Sequence, residues 1–485
     1  MRVAGAAVSS VCWEPKLARE VPPTRYIWAE AVTLSPKIKS KNPILINASF
    51  LATFYSIYLP AKLSRVKRVS FFAKLYEMNL PIYDVIIIGA GASGLMCARE
   101  CARRGQKTLL LEKDALPARK ILVSGNGRCN LTNANVSPEY YHADPVLITS
   151  ALKQFSFQHA LDYFHQLGIL TQEEALGRVF PQTGKSTAVA EPLKLAVKEA
   201  GAELLTGQEV LRVKRGKTFL ISTKQGQNFQ SKKLVLACGS CAYPQVTGTN
   251  AGYELAKKLG HTIIQPRPAL SALCVKETAV ARLMGIRSQV ELSAWQDKSL
   301  LARAEGEILF TNYGVNGPAV LNISSAVSRA LAHGNVPLTI NFFAQIKEPK
   351  KFLEERLKQF SHRKPKDFFA GILHESIANL LIDFIGLRKN IPMQEQTPNG
   401  LQRIGETLTA WPLTATGVRP WTEAMAATGG VNTKEINYNT FESLKCPGLF
   451  ITGELLDVDG KSGGFNLHFA WASGYIAAKN VSEEK

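Results

Sequence analysis

Three glycines and one acidic residue have the types and the spacing that a bound dinucleotide requires. Gly89, Gly91 and Gly94 give the pattern G-x-G-x-x-G, and Glu112 follows Gly94 by 18 residues. In such a turn the first glycine allows a tight bend, the second lets the backbone approach a pyrophosphate, and the third lets a helix pack closely on a strand. A carboxylate at Glu112 can accept hydrogen bonds from ribose hydroxyls and would repel the 2′-phosphate of an NADP. The spacing therefore predicts a dinucleotide site.

The elements around this turn must place it at the end of a buried strand. Residues 83–88 are a short apolar run that ends at a glycine, which is typical of a buried parallel strand. Residues 108–111 predict a second strand, and Glu112 ends it. Between the two strands, the small residues Ala98 and Gly105 favour a helix that packs closely on the sheet. Strand, turn, helix and strand in this order predict an α/β fold with a Rossmann-like parallel sheet.

The composition is that of a globular protein of two or three domains, but its charge is unusually positive. The 485 residues carry a formal net charge of +19, and residues 1–77 hold 12 Lys and Arg against 4 Asp and Glu. Such a surplus favours a polyanionic partner such as RNA, although solubility or a generally basic proteome explains it equally well. The eight cysteines lack disulfide-scaffold spacing, so we expect a reducing, cytoplasmic location.

Residues 1–77 differ from the rest of the chain. They mix isolated basic residues with an apolar stretch at 44–59, which Asn47, Ser49 and Thr53 interrupt. That stretch is too short and too polar for a membrane span, so no stable membrane association is expected. We interpret residues 1–77 as an extension outside the native fold, with Met78 as the true initiator. A basic anchor on a membrane surface is the alternative.

The pattern of apolar residues divides the remaining chain into segments. It predicts a basic, glycine-rich loop at 115–133, helices at 146–168 and 186–200, short strands at 203–237, strand-like segments at 268–345 and basic helices at 347–390. No second strand–GxGxxG–helix unit is visible in the sequence. This argues against a disulfide-reductase architecture with a separate nicotinamide domain.

Several segments from Met78 onward resemble one known family. The matching segments are GAGASG (89–94), RKILVSGNGRCNLTN (119–133), GEILFTNYGVNGPA (306–319), ATGGV (427–431) and GELLDVDGKSGGFNL (453–467). Together they resemble the BaiN/RdsA family of FAD-dependent oxidoreductases. The resemblance implies a split FAD-binding domain at 78–269 and 417–485, interrupted by an inserted β-barrel and helical domain at 270–416. It also implies flavin-dependent reduction of carbon–carbon double bonds, in steroid-like enones or in ribosomal RNA uridine.

The residues that match this family predict a cofactor site. The expected FAD-binding residues are Gly89, Gly91, Ala92, Ser93, Gly94, Glu112, Lys113, Arg119, Lys120, Ser124, Gly125, Gly127, Arg128, Cys129, Asn130, Val210, Ala237, Gly239, Gly453, Glu454, Asp457, Gly464, Phe465, Asn466 and Leu467. Among them, the cations Arg119, Lys120 and Arg128 are expected to neutralise the diphosphate, with solvated surface charge as the alternative.

The last matching segment is expected to contact the rest of the cofactor. Glu454 resembles the acid of a late flavoprotein motif that holds the ribityl chain or the pyrophosphate region. A helix is expected to follow Gly464, and its first N–H groups could stabilise the negative charge that reduced flavin carries. For Asp457, ordinary turn chemistry is an equal alternative.

Two side chains are candidates for the chemistry itself. Cys129 could donate the proton that follows hydride transfer, although a small buried structural cysteine is the equal alternative. Tyr243 could contact the substrate, with turn packing as the alternative. Cys238 and Cys241 have C-x-x-C spacing, but the family usually carries Thr-Gly-Gly there, so we interpret the pair as incidental. A zinc site is not expected, because no second ligand pair has suitable spacing.

These observations predict an FAD-dependent enzyme that reduces an electron-poor double bond. NAD(P)H is the expected transient electron donor. The net charge and the basic segment 347–390 favour ribosomal RNA uridine, reduced to dihydrouridine, as the substrate. A small-molecule enone is the alternative within this chemistry. An RNA-binding or assembly protein that flavin merely stabilises is the alternative outside enzymology.

Overall fold

The computed structural model describes residues 80–483. The interpretation of residues 1–77 as an extension lies outside this range and stays a prediction. Within the described range, no helix is both long and apolar enough to cross a membrane.

The described chain alternates helices and strands along its whole length. The α-helices are Ala92–Arg103, Arg119–Gly127, Pro145–Gln154, Phe157–Gln166, Thr187–Glu199, Ala251–Lys258, Pro318–Ala330, Pro349–Phe360, Pro365–Phe369, Glu375–Ile385, Pro398–Ala410 and Phe465–Val481. The strands are Ile82–Ile88, Thr108–Leu111, Thr132–Asn133, Tyr141–His142, Thr171–Glu174, Arg178–Pro181, Glu203–Leu205, Val210–Arg215, Phe219–Thr223, Asn228–Leu236, Ile263–Ala269, Leu273–Val275, Arg287–Gln296, Ser299–Phe310, Gly314–Asn316, Val336–Asn341, Trp411–Val418, Ala426–Val431, Leu449–Ile451 and Asp459–Gly460.

A seven-stranded sheet with a parallel core forms the centre of the first apolar core. Strand Ile82–Ile88, which is apolar and buried from Val85 onward, lies between Thr108–Leu111 and Asn228–Leu236 and pairs in parallel with both. Leu449–Ile451, from far along the chain, also pairs in parallel with Asn228–Leu236. Two antiparallel strands extend the sheet as a meander. The predicted α/β class with a Rossmann-like parallel sheet is therefore confirmed.

A closed barrel of six antiparallel strands forms the second architectural unit. Its apolar side chains belong to a separate core that runs from Leu273 to Ala415 and includes the helices packed against the barrel. The last barrel strand, Trp411–Val418, continues two residues beyond the expected end of the insert at 416. The split of the FAD domain at 78–269 and 417–485, with an insert at 270–416, remains a proposal that these two cores support.

Two segments differ from the sequence prediction. The strand-like stretch 268–345 contains the helix Pro318–Ala330, which begins where Gly317 takes a φ of 100° and proline occupies the first helical position. β-branched residues in this stretch favoured a strand, but packing on the barrel favours the helix. The predicted loop at 115–133 contains the helix Arg119–Gly127, whose backbone leaves helical geometry at Ser124 and Asn126.

Candidate functional site

A cavity of about 1730 Å³ extends from the glycine turn to the barrel. Its wall begins at the carboxyl end of strand Ile82–Ile88, where parallel sheets place their ligands. It includes most of the expected cofactor residues: Gly89, Gly91, Ala92, Ser93, Glu112, Lys113, Arg119, Lys120, Ser124, Gly125, Arg128, Asn130, Val210, Ala237, Gly239, Glu454, Gly464, Phe465, Asn466 and Leu467. The fold thus brings together residues that are up to 378 positions apart in the sequence.

The three glycines of the first turn have different surroundings. A Cβ on Gly94 would lie 1.8 Å from the backbone oxygen of Gly89, so this glycine allows close helix–strand packing. Gly89 has a φ of +105°, and a Cβ there would lie 2.4 Å from the oxygen of Ala237. A Cβ on Gly91 would meet no atom within 4 Å, and Gly91 lines the cavity. The backbone at Gly91 is therefore open to a ligand.

Glu112 ends the second strand as a buried acid at the cavity wall. One carboxylate oxygen accepts from the backbone N–H of Ala90 at 2.7 Å and the other from that of Asp114 at 2.9 Å. These bonds fix the carboxylate in place, while burial raises its pKa above the ordinary value. Its remaining lone pairs can accept from ribose hydroxyls, as the sequence predicts.

A glutamine beside Glu112 was not predicted from the sequence. The Gln208 side-chain oxygen is buried and has no hydrogen-bond partner, and Gln208 lines the cavity next to Val210. A buried acceptor without a donor is costly unless a ligand supplies one. No motif marks Gln208 in the sequence, because only the folded β-meander brings it to the cavity.

The three expected phosphate-binding cations all have carboxylate partners. Lys120 lies 2.7 Å from Glu454, and Arg119 lies 3.3 Å from Asp114. Arg128 pairs with Glu174 and packs over the ring of Phe180. Lys120, Arg119 and Arg128 line the cavity, so their charges face it while being partly neutralised by these acids.

A second helix also begins at the cavity wall. Helix Phe465–Val481 follows Gly464, which has a φ of 103°, and no side chain caps its first N–H groups. The Asn466 side chain bonds both the N–H and the carbonyl of Gly460, which ties the preceding turn to the helix start. Close by, the buried Asn130 side-chain oxygen has no partner, and a Cβ on Gly464 would lie 2.8 Å from it.

These features fit a dinucleotide that carries a second ring system. The N-termini of helices Ala92–Arg103 and Phe465–Val481 both lack side-chain caps and both border the cavity, so each can stabilise negative charge. The unpartnered oxygens of Asn130 and Gln208 can each accept a ligand N–H. FAD has phosphates, a ribose and ring N–H groups that match these elements.

Five of the expected cofactor residues do not line the cavity: Gly94, Gly127, Cys129, Gly453 and Asp457. Gly94 acts through packing, and a Cβ on Gly453 would lie 2.8 Å from the Ser93 hydroxyl oxygen. Asp457 lies 2.7 Å from Arg329 and accepts from the backbone N–H of Gly429. Asp457 therefore has partners far from it in the sequence, and its assignment to the cofactor stays a prediction.

The two candidates for proton donation are placed differently. Cys129 is fully buried in the first apolar core, and this burial raises its pKa to about 12. Because it does not line the cavity, this placement does not support Cys129 as a donor to a ligand there. Tyr243 lines the cavity, and its backbone N–H donates to the carbonyl of Trp421. Tyr243 is therefore the better placed of the two as a candidate acid.

The C-x-x-C pair also borders this region. Cys238 lines the cavity, and both Cys238 and Cys241 are free thiols. Burial raises the pKa of each, which makes them weaker nucleophiles at neutral pH. No group of three or more His, Cys, Asp or Glu side chains within residues 80–483 could hold a metal ion.

The far wall of the cavity belongs to the barrel and its helices, and sequence reasoning assigned none of it. Amide, apolar and acidic side chains form this wall: Gln289, Glu305, Glu307, Asn316, Leu321, Asn322, Phe342, Phe343, Gln345, Ile346 and Ile372. Residues 305–322 overlap the segment GEILFTNYGVNGPA, which carried the family resemblance but no assigned role. That segment was the available signal for this half of the site.

The comparisons with known proteins agree with this geometry. The model of the HI0933-like protein Rossmann domain matches residues 83–480. The 3-dehydro-bile acid delta(4,6)-reductase of Clostridium scindens is 32% identical over 403 residues, which cover 82% of this chain and 98% of that protein. The ribosomal RNA dihydrouridine synthase of Haemophilus influenzae is 31% identical over 410 residues, with 82% and 98% covered.

A solved structure is also similar over most of its length. The 3-ketosteroid-delta4-(5alpha)-dehydrogenase of Rhodococcus jostii RHA1 has 13% identity and a TM-score of 0.43, and covers 83% of this chain and 97% of its own. The family match over residues 83–480 and the two relatives support FAD as the cofactor for which the cavity is built. This chain therefore belongs to the HI0933-like family of FAD-dependent, Rossmann-type oxidoreductases.

Proposed function

We propose that this protein uses NAD(P)H to reduce an electron-poor carbon–carbon double bond in an uncharged, carbonyl-conjugated small molecule. FAD, when bound, supplies the hydride transfer. The chain's own residues hold the cofactor, orient the substrate against it and supply a proton. NAD(P)H as a transient donor is part of the proposal, as is the reducing cytoplasm in which it would act.

The continuation of the cofactor cavity into the barrel supports this proposal most directly. This half of the cavity combines the aromatic side chains Phe342 and Phe343 with amide side chains such as Asn316. Aromatic walls suit a flat, apolar ring system, and an amide N–H can hydrogen-bond a conjugated carbonyl and so polarise the double bond. Because such a ligand is uncharged, the cavity needs no unpaired cation to bind it.

The acids of this wall oppose an anionic substrate. On the barrel wall, Glu307 is paired with Arg287 at 2.9 Å, whereas Glu305 makes no ion pair among the described residues. A phosphate group would meet these carboxylates as it entered this half of the cavity. The charge of the wall therefore favours an uncharged substrate.

Tyr243 is the proposed acid. Tyr243 lines the cavity, and its phenol could protonate the carbon next to the one that receives hydride. The backbone around it is held in place, because its N–H donates to Trp421 and its carbonyl accepts from Val246. A phenol hydroxyl can donate a hydrogen bond or a proton to a carbon placed beside it and can recover the proton from solvent.

Ribosomal RNA uridine is the second candidate, because the net charge is +19 and two relatives are named ribosomal RNA dihydrouridine synthases. The insert, residues 270–416, contributes little to that surplus, with 17 Lys and Arg against 13 Asp and Glu. Two cations of the basic segment 347–390 have structural partners: Arg356 donates to the carbonyl of Phe368, and Lys366 pairs with Glu375. An uncharged uracil base would fit the cavity only if its phosphates remained outside.

A direct comparison of substrates tests the proposal. FAD-loaded protein and NADH or NADPH are incubated anaerobically with a panel of cyclic enones and, separately, with unmodified ribosomal RNA. We expect NAD(P)H oxidation with an enone, and mass spectrometry should find a product with two added hydrogens. Dihydrouridine formation that falls steeply with salt, with no enone reduced, would assign the RNA reaction instead. Flavin that NAD(P)H reduces but that no acceptor reoxidises would refute both.

A further inference from the structure

Helix Pro318–Ala330, called the insert helix below, presents a polar stripe to the segment that leads into the Gly464 turn. Asn322, Ser325 and Arg329 have the spacing i, i+3, i+7, which places them on one face of the helix. The facing segment is 457–462, called the docking segment below. Between them, the stripe and this segment form a ladder of hydrogen bonds and ion pairs.

The end of the ladder nearest the cavity is an asparagine–serine contact. The Asn322 side-chain oxygen accepts from the backbone N–H of Ser462 at 2.8 Å and from its hydroxyl at 2.7 Å. Asn322 and Ser462 both line the cavity. Within the part of the chain that the structure describes, the side-chain nitrogen of Asn322 makes no hydrogen bond. One side chain thus holds the docking segment and keeps a donor available at the cavity wall.

The next rungs are ionic. Ser325 donates its hydroxyl to the carboxylate of Asp459, which is 3% exposed. The Arg329 guanidinium lies 2.7 Å from Asp457 and 3.5 Å from Asp459, and it also donates to the Thr428 hydroxyl. One cation of the insert therefore offsets two carboxylates of the docking segment. Without it, Asp457 and Asp459 would lose their cation partner in the segment that leads to helix Phe465–Val481.

The docking segment continues directly into the proposed cofactor contact. Ser462 is followed by Gly463 and Gly464 and then by helix Phe465–Val481, whose uncapped N-terminus borders the cavity beside the unpartnered oxygen of Asn130. The placement of these N–H groups thus depends on bonds made by the insert helix. Residues of the insert helix and of the docking segment both line the cavity.

We propose that Asn322 and Arg329 are positioning residues that couple the insert to the cofactor. Asn322 fixes the turn at 462–464, and Arg329 cancels the charge of Asp457 and Asp459, which would otherwise disfavour the negative charge that the cofactor acquires on reduction. This coupling concerns the cofactor rather than the acceptor, so it holds for either candidate substrate. Failure of the proposed enone reduction would leave it standing.

The reduction potential of bound FAD in the full chain tests the role of Arg329. In Arg329→Met we expect the reduced form to be disfavoured about tenfold, a lowering of about 30 mV for a two-electron couple. Arg329→Lys keeps the positive charge, so its reduction potential should lie close to that of the parent protein. Arg303→Met is the matched control, because it removes an insert arginine that is 50% exposed and pairs with Glu291 rather than with the docking segment. An unchanged potential in folded Arg329→Met, even with a lower melting temperature, would overturn the assignment.

Two variants of Asn322 test the role proposed for this residue, and both leave Asp457 and Asp459 with their partners. Asn322→Leu removes the acceptor for Ser462 and should raise the FAD dissociation constant about tenfold or more. Asn322→Asp keeps that acceptor but adds a negative charge, so FAD affinity should be largely kept while the potential falls. If Asn322→Leu binds FAD as tightly as the parent protein and Asn322→Asp leaves the potential unchanged, the coupling does not exist.

Discussion

The Lys120 side-chain nitrogen lies 2.7 Å from a carboxylate oxygen of Glu454, a residue 334 positions further along the chain. Ser240 completes the contact, since its hydroxyl donates to the same carboxylate and lies 3.2 Å from the lysine. The sequence suggests a separate cofactor role for each of these charges. The structure shows one ion pair at the cavity wall, so each charge depends on the other.

Removing the lysine from this pair should weaken both folding and FAD binding. Lys120→Met leaves Glu454, whose side chain is 17% exposed, without its cation. Because both groups are only partly buried, we expect a loss of about 1–2 kcal/mol in the free energy of unfolding, and a weaker FAD complex. Urea unfolding and FAD titration measure the two effects. Lys194→Met, which breaks an exposed helical pair with Glu191, should change each by little.

Substitutions at Gly91 and Gly94 of the glycine turn should have different effects. Gly91→Val points its side chain into open space, so the apoprotein should fold normally but lose FAD. Gly94→Val places a side chain against the backbone of Gly89 and should destabilise the fold itself. Melting temperature and the absorbance of bound flavin separate the two outcomes. Full FAD occupancy in Gly91→Val would show that the phosphates bind elsewhere.

Tyr243→Phe should slow substrate reduction by about 100-fold while keeping FAD bound, because a positioned acid typically contributes at least that much. Cys129→Ser should react almost like the parent protein, since Cys129 is fully buried and lies off the cavity wall. Flavin reduction by NAD(P)H, followed by stopped-flow absorbance, should be unaffected in both variants. A large loss of substrate reduction in Cys129→Ser, but not in Tyr243→Phe, would instead assign proton donation to the Cys129 thiol.

Acid should destabilise the fold through His468. Its Nε2 donates to the carbonyl of Phe155, and in the neutral form its Nδ1 accepts from the Thr132 hydroxyl. Burial lowers its pKa to about 4 from an ordinary 6.5. Because the folded-state pKa is depressed, this contribution to stability is complete above pH 6.5 and is lost as the pH falls towards 4. The loss amounts to about 3 kcal/mol.

Comparison of the parent protein with His468→Gln by urea unfolding checks this effect. The difference in unfolding free energy between the two proteins should shrink as the pH is lowered from 7 to 4.5, because only the parent protein takes up this proton. A constant difference over that range would show that His468 does not titrate in the unfolding reaction.

The cofactor half of the site could be predicted because its signals are local. Gly89, Gly91 and Gly94 carry their geometry within one turn, and Glu112 lies at a fixed distance from them along the chain. Backbone requirements of this kind appear directly as residue types. The expected placement of these residues around one cavity follows from the parallel sheet alone.

The rest of the cavity wall could not be predicted because its contacts are long-range. Gln208 and Asn322 belong to no motif and reach the cavity only when the meander and the insert helix fold against the sheet. The strand prediction across 318–330 failed for a related reason, since packing on the barrel outweighs local propensity there. Cys129 was singled out by its motif, yet its side chain turns into the core.

Anaerobic single turnover tests the central claim most directly. The FAD-loaded protein is reduced with dithionite, freed of excess reductant and mixed with a cyclic enone in a stopped-flow spectrometer. We predict that the flavin absorbance returns in a saturable, enone-dependent phase, that one equivalent of saturated product forms per flavin, and that Tyr243→Phe slows this phase. Flavin that stays reduced in the presence of both enones and unmodified ribosomal RNA would contradict the assignment of this cavity to double-bond reduction.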